Sequence, residues 1–401
     1  MLLLAFLAMC SSPIPFEPMV PYGVSDWPAK FGNHRAVIKS GSNAQAVWAH
    51  LPWRLQRYEP ALHDILVMTP AHNRVRNVYR ARIDSDSADI VFQPIADNTE
   101  YYVYYLPYDD SPVFGYVSDP YTKPSGKPDP AWANFCKVSQ FAKLPRAEVV
   151  RFEARGEFNR FDPMEVCATE AEAQSFKASL KPNHTVFPED RRHPIRMRSK
   201  LPYRWVQKGP ASKVAGEASK NEFFTYQLGL WASDQDVKHV QVEFSDLTNG
   251  KDAIGKEAMV CFNLSGVGVD GKPFAIDLSV PKGQVQPLWC GVQIPAGAEP
   301  GTYSGKVSVS CEGGPTTVVP VEIRVDAKVL KDCGDSEAWR MSRLRWLNSR
   351  IGEDDDLVAP YTPLTLKGNA IDCLGRQVAL GSNGLPESIK AGDTEVLALP
   401  I

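Results

Sequence analysis

Nine tryptophans and a run of tyrosines are the residues whose chemistry could matter most in this chain. Trp48, Trp53, Tyr102, Tyr104 and Trp346 are candidates for stacking on the C–H faces of a sugar ring. Core packing is the alternative for each, because aromatic side chains dominate the interiors of β proteins. Hydrolysis of a glycoside would need two carboxyl groups facing each other across the scissile bond. The tightest acidic groups are Glu189-Asp190 and Glu353–Asp356, both beside arginines and both readable as simple charge balance. Asp84-Ser-Asp-Ser-Ala-Asp89 spaces its acids like a calcium loop but lacks the glycine and distal glutamate such a loop requires, so a polar turn is expected. Gly266-Val-Gly-Val-Asp-Gly-Lys-Pro273 nearly spells a phosphate loop; Pro273 stands where a hydroxyl would hold magnesium, so a hairpin turn is expected instead. No catalytic residue, metal ligand set or cofactor motif is assigned.

The elements that must position these residues read as strands. From Asn221 to Val325 the runs Glu222–Trp231, Lys238–Phe244, Val285–Ile294, Tyr303–Ser310 and Thr317–Val325 are separated by turn residues. Within them, Val319, Val321, Ile323 and Val325 alternate with polar neighbours, as a strand with one buried face requires. An antiparallel, immunoglobulin-like sandwich is expected over residues 201–330. A first β-sandwich is expected over residues 22–120, from strands Arg35–Lys39, Ala46–Leu51, Asp64–Met68, Asp89–Ile95 and Tyr101–Leu106, the last two paired as a hairpin across Ala96–Glu100. Between them, residues 121–200 read as a proline-rich linker and an irregular α/β segment. Thr169-Glu-Ala-Glu172 has the form of a capping box and predicts a helix over Glu170–Leu180, and Phe187–Pro194 reads as an extended lead into the sandwich.

Residues 331–401 read as a connector followed by an incomplete β domain. Glu337–Asn348 is a short helix or folded connector. Leu364–Leu366, a turn at 367–369, Ile371–Cys373 and Gln377–Leu380 are strands, too few to close a sandwich. A truncated domain is the expectation there. The fold class is thus mostly β, with tandem antiparallel sandwiches and few short helices.

Composition narrows function. The 44 basic and 47 acidic residues give a net charge of −3, without the excess that nucleic-acid binding needs. The N-terminal Met1–Ser12 is apolar and too short to span a bilayer, and resembles a secretory leader. Residues 1–20 are therefore expected to direct export, to the periplasm or beyond, with lipid anchoring at Cys10 as an alternative. No later stretch reaches the roughly 20 apolar residues of a membrane helix. Eight cysteines lack CxxC spacing; a Cys311–Cys333 pairing is open.

Several phrases resemble a family of exported bacterial proteins described as glycoside hydrolase domain-containing. They include Asp26-Trp-Pro-Ala-Lys-Phe-Gly-Asn-His-Arg-Ala36, Leu51-Pro-Trp-Arg54, Phe187-Pro-Glu-Asp-Arg191, His193-Pro-Ile-Arg-Met197, Asn221-Glu-Phe-Phe-Thr-Tyr-Gln-Leu-Gly229, Pro300-Gly-Thr-Tyr303, Ser342-Arg-Leu-Arg-Trp-Leu-Asn348 and Pro360-Tyr-Thr-Pro-Leu364. These proteins are similar to glycoside hydrolase family one hundred and twenty-three, the β-N-acetylgalactosaminidases. The resemblance spans Asp26 to Ile389 and implies β-sandwich modules followed by a (β/α)₈ barrel. In that barrel an adjacent Asp-Glu pair assists attack by the substrate's acetamido group. This chain has no Asp followed directly by Glu and no βαβα pattern, so no catalytic residue carries over. The expectation is a non-catalytic N-terminal portion of a glycan-processing protein, partnered by a C-terminal catalytic domain; a freestanding carbohydrate-binding or structural cell-surface protein is the alternative.

Overall fold

The computed structural model describes residues 20–41, 44–56, 59–109, 119–138, 141–180, 183–349 and 357–401. The leader-like residues before Val20, Cys10 among them, and the acids Glu353–Asp356 lie outside those residues. The chain divides into two compact units: one takes residues up to Ser265 together with Ala275–Arg345, the other Gly266–Phe274 and Trp346–Ile401.

Within the first unit, an eight-stranded sheet runs in the order Ile65–Met68, Glu100–Tyr105, His34–Lys39, Arg146–Arg155, Val47–Leu51, Ala88–Phe92 and Val78–Ile83, with Tyr22–Ser25 joining Arg146–Arg155. The ten residues Arg146–Arg155 make one half continuous with the other. Glu148–Ala154 pair antiparallel with His34–Lys39, and Arg146 and Ala147 pair parallel with Trp48 and Ala49. The two halves close on one core of Ala36, Ile38, Ala49, Ile90, Phe92, Val103 and Tyr105. This corrects two expectations, the end of the first sandwich and a hairpin within it. The first sandwich extends past residue 120, because its bridging strand lies at 146–155. The sandwiches are mostly β and mainly antiparallel, as expected, with parallel pairings where Tyr22–Ser25 and Val214–Lys220 meet their partners. Ala88–Phe92 and Glu100–Tyr105 do not form a hairpin. The first pairs with Val47–Leu51 and Val78–Ile83, the second with His34–Lys39 and Ile65–Met68. The connection crosses the sandwich instead, and the buried Tyr101 hydroxyl pins it by accepting from Ile95 N at 3.0 Å and lying 3.2 Å from the Ile95 carbonyl.

The middle of the chain is more ordered than its composition suggests. Pro130–Val138 is a helix, started by a proline whose missing N–H costs nothing at that position, and it buries Trp132 and Cys136, four residues apart, against Ala46 and Val91. Glu170–Ala178 is the expected helix, shorter by two residues. Its capping box is complete: the Thr169 hydroxyl accepts from Glu172 N, and the Glu172 carboxylate accepts from Thr169 N at 2.8 Å. Of Phe187–Pro194, expected as an extended lead, the first three residues instead end the strand Thr185–Glu189, which lies at the sheet edge on Phe223–Trp231.

The central sandwich has the expected strands with shifted ends. One sheet runs Val214–Lys220, Thr317–Val329, Gly301–Ser310, Leu247–Thr248 and Ala253–Ile254, with Gln241–Phe244 also on Gly301–Ser310; the other runs Met259–Cys261, Val285–Gln293, Phe223–Trp231 and Thr185–Glu189. Leu228, Leu288, Val307 and Ile323 are wholly buried between them. Cys311 and Cys333 are free thiols, which corrects the pairing left open; Cys311 Sγ lies 3.6 Å from His184 Nδ1 instead. The near phosphate loop is a turn, closed by Gly268 N donating to Lys272 O at 2.8 Å, with Gly271 at φ 72.

In the second unit, Thr365–Lys367, Ala370–Cys373, Arg376–Leu380, Pro386–Ala391 and Thr394–Glu395 form a five-stranded antiparallel meander. None of the residues 357–401 is fully buried.

Candidate functional site

Of the five expected aromatic residues, Tyr102 and Tyr104 meet edge to face, their ring centres 6.4 Å apart. Trp53 and Tyr104 are buried and offer no ring face to a ligand, which removes them as stacking platforms. The Trp53 indole donates to Asp84 O at 2.9 Å, and the Tyr104 hydroxyl accepts from Arg35 Nη1 at 2.9 Å. Tyr102 is half-buried, with the Arg35 guanidinium 3.8 Å from its ring centre. Trp48 is half-buried under the Arg146 guanidinium at 5.0 Å, and its indole N–H donates to Asp89 at 3.0 Å. Trp346 is 51% exposed, in the other unit.

Asp89 joins Trp48 to His50 (2.7 Å) and Arg82 (2.8 Å). Burial works to raise its carboxyl, yet the hydrogen bonds from His50 and Arg82 hold it below the usual range. The Asp84–Asp89 turn is polar as expected, with Asp84 Oδ1 accepting from the backbone of Asp86 and Ser87.

The richest assembly of polar groups surrounds Glu222, at the end of the central sandwich. Val214–Lys220 turns into Phe223–Trp231 through Asn221, which takes a left-handed φ of 60. That tight turn swings the Glu222 carboxylate back onto Ser219 N at 2.8 Å and buries it completely. Two guanidiniums close on it: Arg191 Nη1 at 2.5 Å and Arg340 Nη1 at 2.6 Å. Arg191 comes from the segment after Thr185–Glu189, and its guanidinium lies 4.9 Å from the Phe224 ring and 4.7 Å from Trp339. Arg340 comes from the 3₁₀ turn Ala338–Arg340 and lies 4.4 Å from the same indole. The backbone there needs glycine at 334: a Cβ would meet Arg340 Cδ at 3.0 Å, and φ is 89. Glu337 accepts from Arg340 Nε at 3.0 Å, and that arginine holds its carboxyl below the ordinary range.

Around this knot is a cleft of about 330 Å³ lined by Asp190, Arg192, Glu217, Asp326 and Trp339, whose indole is 56% exposed. Glu189, Asp190 and His193 place one donor atom each within 4.8 Å of one another, spacing a metal ion could use. Their partners account for them without one. Glu189 Oε1 accepts from Trp205 Nε1 at 2.7 Å and Arg204 Nε at 3.4 Å, and Asp190 accepts from His193 Nδ1 and N.

One rule covers every buried carboxylate among the described residues: each meets an arginine. The pairs are Asp64–Arg74, Asp89–Arg82, Glu153–Arg35, Glu172–Arg54, Glu189–Arg204 and Glu222 with Arg191 and Arg340. Glu153–Arg35, Glu172–Arg54 and Glu222–Arg340 each join positions 118 residues apart, and the cleft's exposed Trp339 indole and Arg192 side chain suit stacking and hydrogen bonding. Sequence reading missed Arg191, Glu222, Trp339 and Arg340 as a group. Two of them lie in phrases that carry the family resemblance, but nothing local shows that Glu222 and Arg340, 118 residues apart, meet.

Comparison with known proteins adds the lineage. A family model described as the glycoside hydrolase 123 N-terminal domain matches residues 25–155, and a second model of the same description matches residues 269–311. A search of curated proteins returns no match. Among solved structures, a family 123 glycoside hydrolase from Clostridium perfringens aligns at 17% identity and a TM-score of 0.30, covering 37% of this chain and 28% of that one. The PapD-like domain of human CEP192 aligns at 13% identity and 0.21, covering 38% and 91%. The BcpA pilin subunit of Bacillus cereus aligns at 13% identity and 0.18, covering 73% and 69%. Alignments at these scores carry no argument about function, and the chain spans 28% of the hydrolase's length. The family models alone carry the assignment: this chain contains a region like the N-terminal domain of glycoside hydrolase 123.

Proposed function

We propose that this chain is the non-catalytic β-sandwich portion of an exported glycoside-hydrolase-like protein, whose sugar-hydrolysing barrel is a separate, C-terminal domain. Its working modules are the first sandwich, the immunoglobulin-like central sandwich and the β domain begun after residue 331. The observation that carries the non-catalytic reading is the pairing of every described buried carboxylate with an arginine, so that each already serves a contact that holds the fold together. The family matches support the glycoside-hydrolase context, and the apolar leader supports export. Purified chain incubated with chromogenic aryl N-acetylhexosaminides and other aryl glycosides is expected to show no turnover above blank. Sustained release of the aryl group by this chain alone would overturn the reading. The coding sequence downstream of Ile401 is expected to encode alternating strands and helices; a stop followed by unrelated sequence would count against the separate barrel.

A second reading, a freestanding glycan-binding protein, is favoured by the exposed Trp339 beside the cleft and by Trp346. A glycan array separates the two. Sugar binding lost in Trp339→Ala would support the second, and no binding to any sugar would remove it.

A further inference from the structure

Two cysteines of the central sandwich face each other across neighbouring strands. Cys261 ends the short strand Met259–Cys261, and Cys290 lies within Val285–Gln293, its direct register partner. Phe262 N donates to Trp289 O at 2.9 Å, so the adjoining pair Phe262–Trp289 is the hydrogen-bonded one. Cys261 and Cys290 therefore occupy a non-hydrogen-bonded site, where opposed Cα atoms approach to about 4.5 Å. That separation lies within the range a disulfide bridges. Both side chains point into the same core, 5% and 0% exposed, and both are free thiols in the structure.

We infer that Cys261 and Cys290 are a disulfide-forming pair that staples the edge strand Met259–Cys261 to Val285–Gln293 when the chain meets a small-molecule disulfide. A thiolate of the pair attacks the external disulfide, forming a mixed disulfide and releasing one small thiolate. The second protein thiolate then attacks the mixed disulfide's protein sulfur, forming the Cys261–Cys290 bond and releasing the second small thiolate. The two cysteine protons end on the two released thiols; the protein loses two electrons and the external disulfide gains them. The Cys290 S–H donated toward Cys261 lowers the Cys261 thiol, which favours it as the attacking sulfur. Access comes from the edge: Met259–Cys261 is held on one side only, so its opening needs no disruption of the inner strands.

The test uses the full chain, refolded with a mixture of oxidised and reduced glutathione, then denatured, alkylated and digested with trypsin. The pair falls on separate tryptic peptides, 257–282 and 283–306, each with one cysteine. The expected result is a peptide joining the two, sensitive to dithiothreitol, with two fewer of the eight cysteines alkylated. Oxidised chain should also unfold at a higher temperature than reduced chain, and Cys261→Ser should abolish that difference. Full alkylation of both cysteines after oxidative refolding, or linkage of either to a different cysteine, would overturn the inference. Because the peptide map is read on the unmutated chain, a misfolded variant would not blunt it.

Discussion

Val319, Val321, Ile323 and Val325 run along one face of a sandwich strand; Leu366, Ile371, Val378 and Ile389 run in register across one face of the C-terminal meander. The first set is 0–4% exposed. In the second, Leu366 is 71% exposed and the others are half-buried. Both obey the same period of two, and the opposite face of the meander is as polar as a solvated sheet should be, with Thr365, Lys367, Asp372, Gln377 and Lys390. Alternation therefore sets which side chains share a face, while burial depends on a second layer. The sandwich has one, in Leu228 and Leu288 of the facing sheet. The meander's apolar face stays half-buried at Ile371, Val378 and Ile389 and exposed at Leu366, so its side chains remove less apolar area from water than those of the sandwich.

Breaking the sandwich's charge lock should have the largest effect. Glu222→Ala leaves Arg191 and Arg340 without their shared carboxylate in a buried site, and a loss of about 3–5 kcal/mol is expected in urea unfolding. A loss below about 1 kcal/mol would show that the guanidiniums reach solvent. Next, Leu288→Ala opens a cavity in the core and should cost roughly 2–5 kcal/mol on the same transition.

A smaller effect comes from His34, packed on Tyr105 and Phe161 in the first sandwich. Burial lowers its imidazole below 6.5, against the raising contact of Nε2 with Asn159 O. As pH falls below 6.5 toward that lower folded value, the unfolded chain takes up the proton first, so stability drops through this window. Denaturation midpoints followed across the window should fall in the parent chain and stay flatter in His34→Gln; equal slopes would remove the histidine as the cause. No histidine lies after residue 239, so amide exchange in the C-terminal meander should not report this titration.

The least effect is expected from Leu366→Ala, within about 0.5 kcal/mol, because its side chain is already in water. A loss comparable to that of Leu288→Ala would mean that Leu366 is covered in solution. Limited proteolysis sharpens the same contrast: cuts should accumulate in the meander's turns before any appear in the sandwich strands.

Much of this architecture is legible from neighbours in the chain. The Thr169/Glu172 capping box marks its helix because both partners sit within one turn. Thr317–Val329 and Gly301–Ser310 show themselves by alternation, and the C-terminal turn at Lys367–Asn369 by its glycine. Arg146–Arg155 escapes notice because its arginines and glutamates obscure the pattern until Arg35 and Arg151 bind Glu153. The hairpin expected across Ala96–Glu100 fails for a related reason: a loop that length can turn back or cross a sandwich, and the choice rests with the strands waiting on either side.

The sequence by itself determined the strand character, the faces on which aliphatic side chains gather and the helix after Thr169, all consequences of local covalent geometry and short-range hydrogen bonding. Tertiary structure alone decided which strands pair, which arginine meets which acid and which apolar face is covered. Those outcomes depend on surfaces brought together from distant parts of the chain, where desolvation makes a lone charge costly and a matching layer favourable.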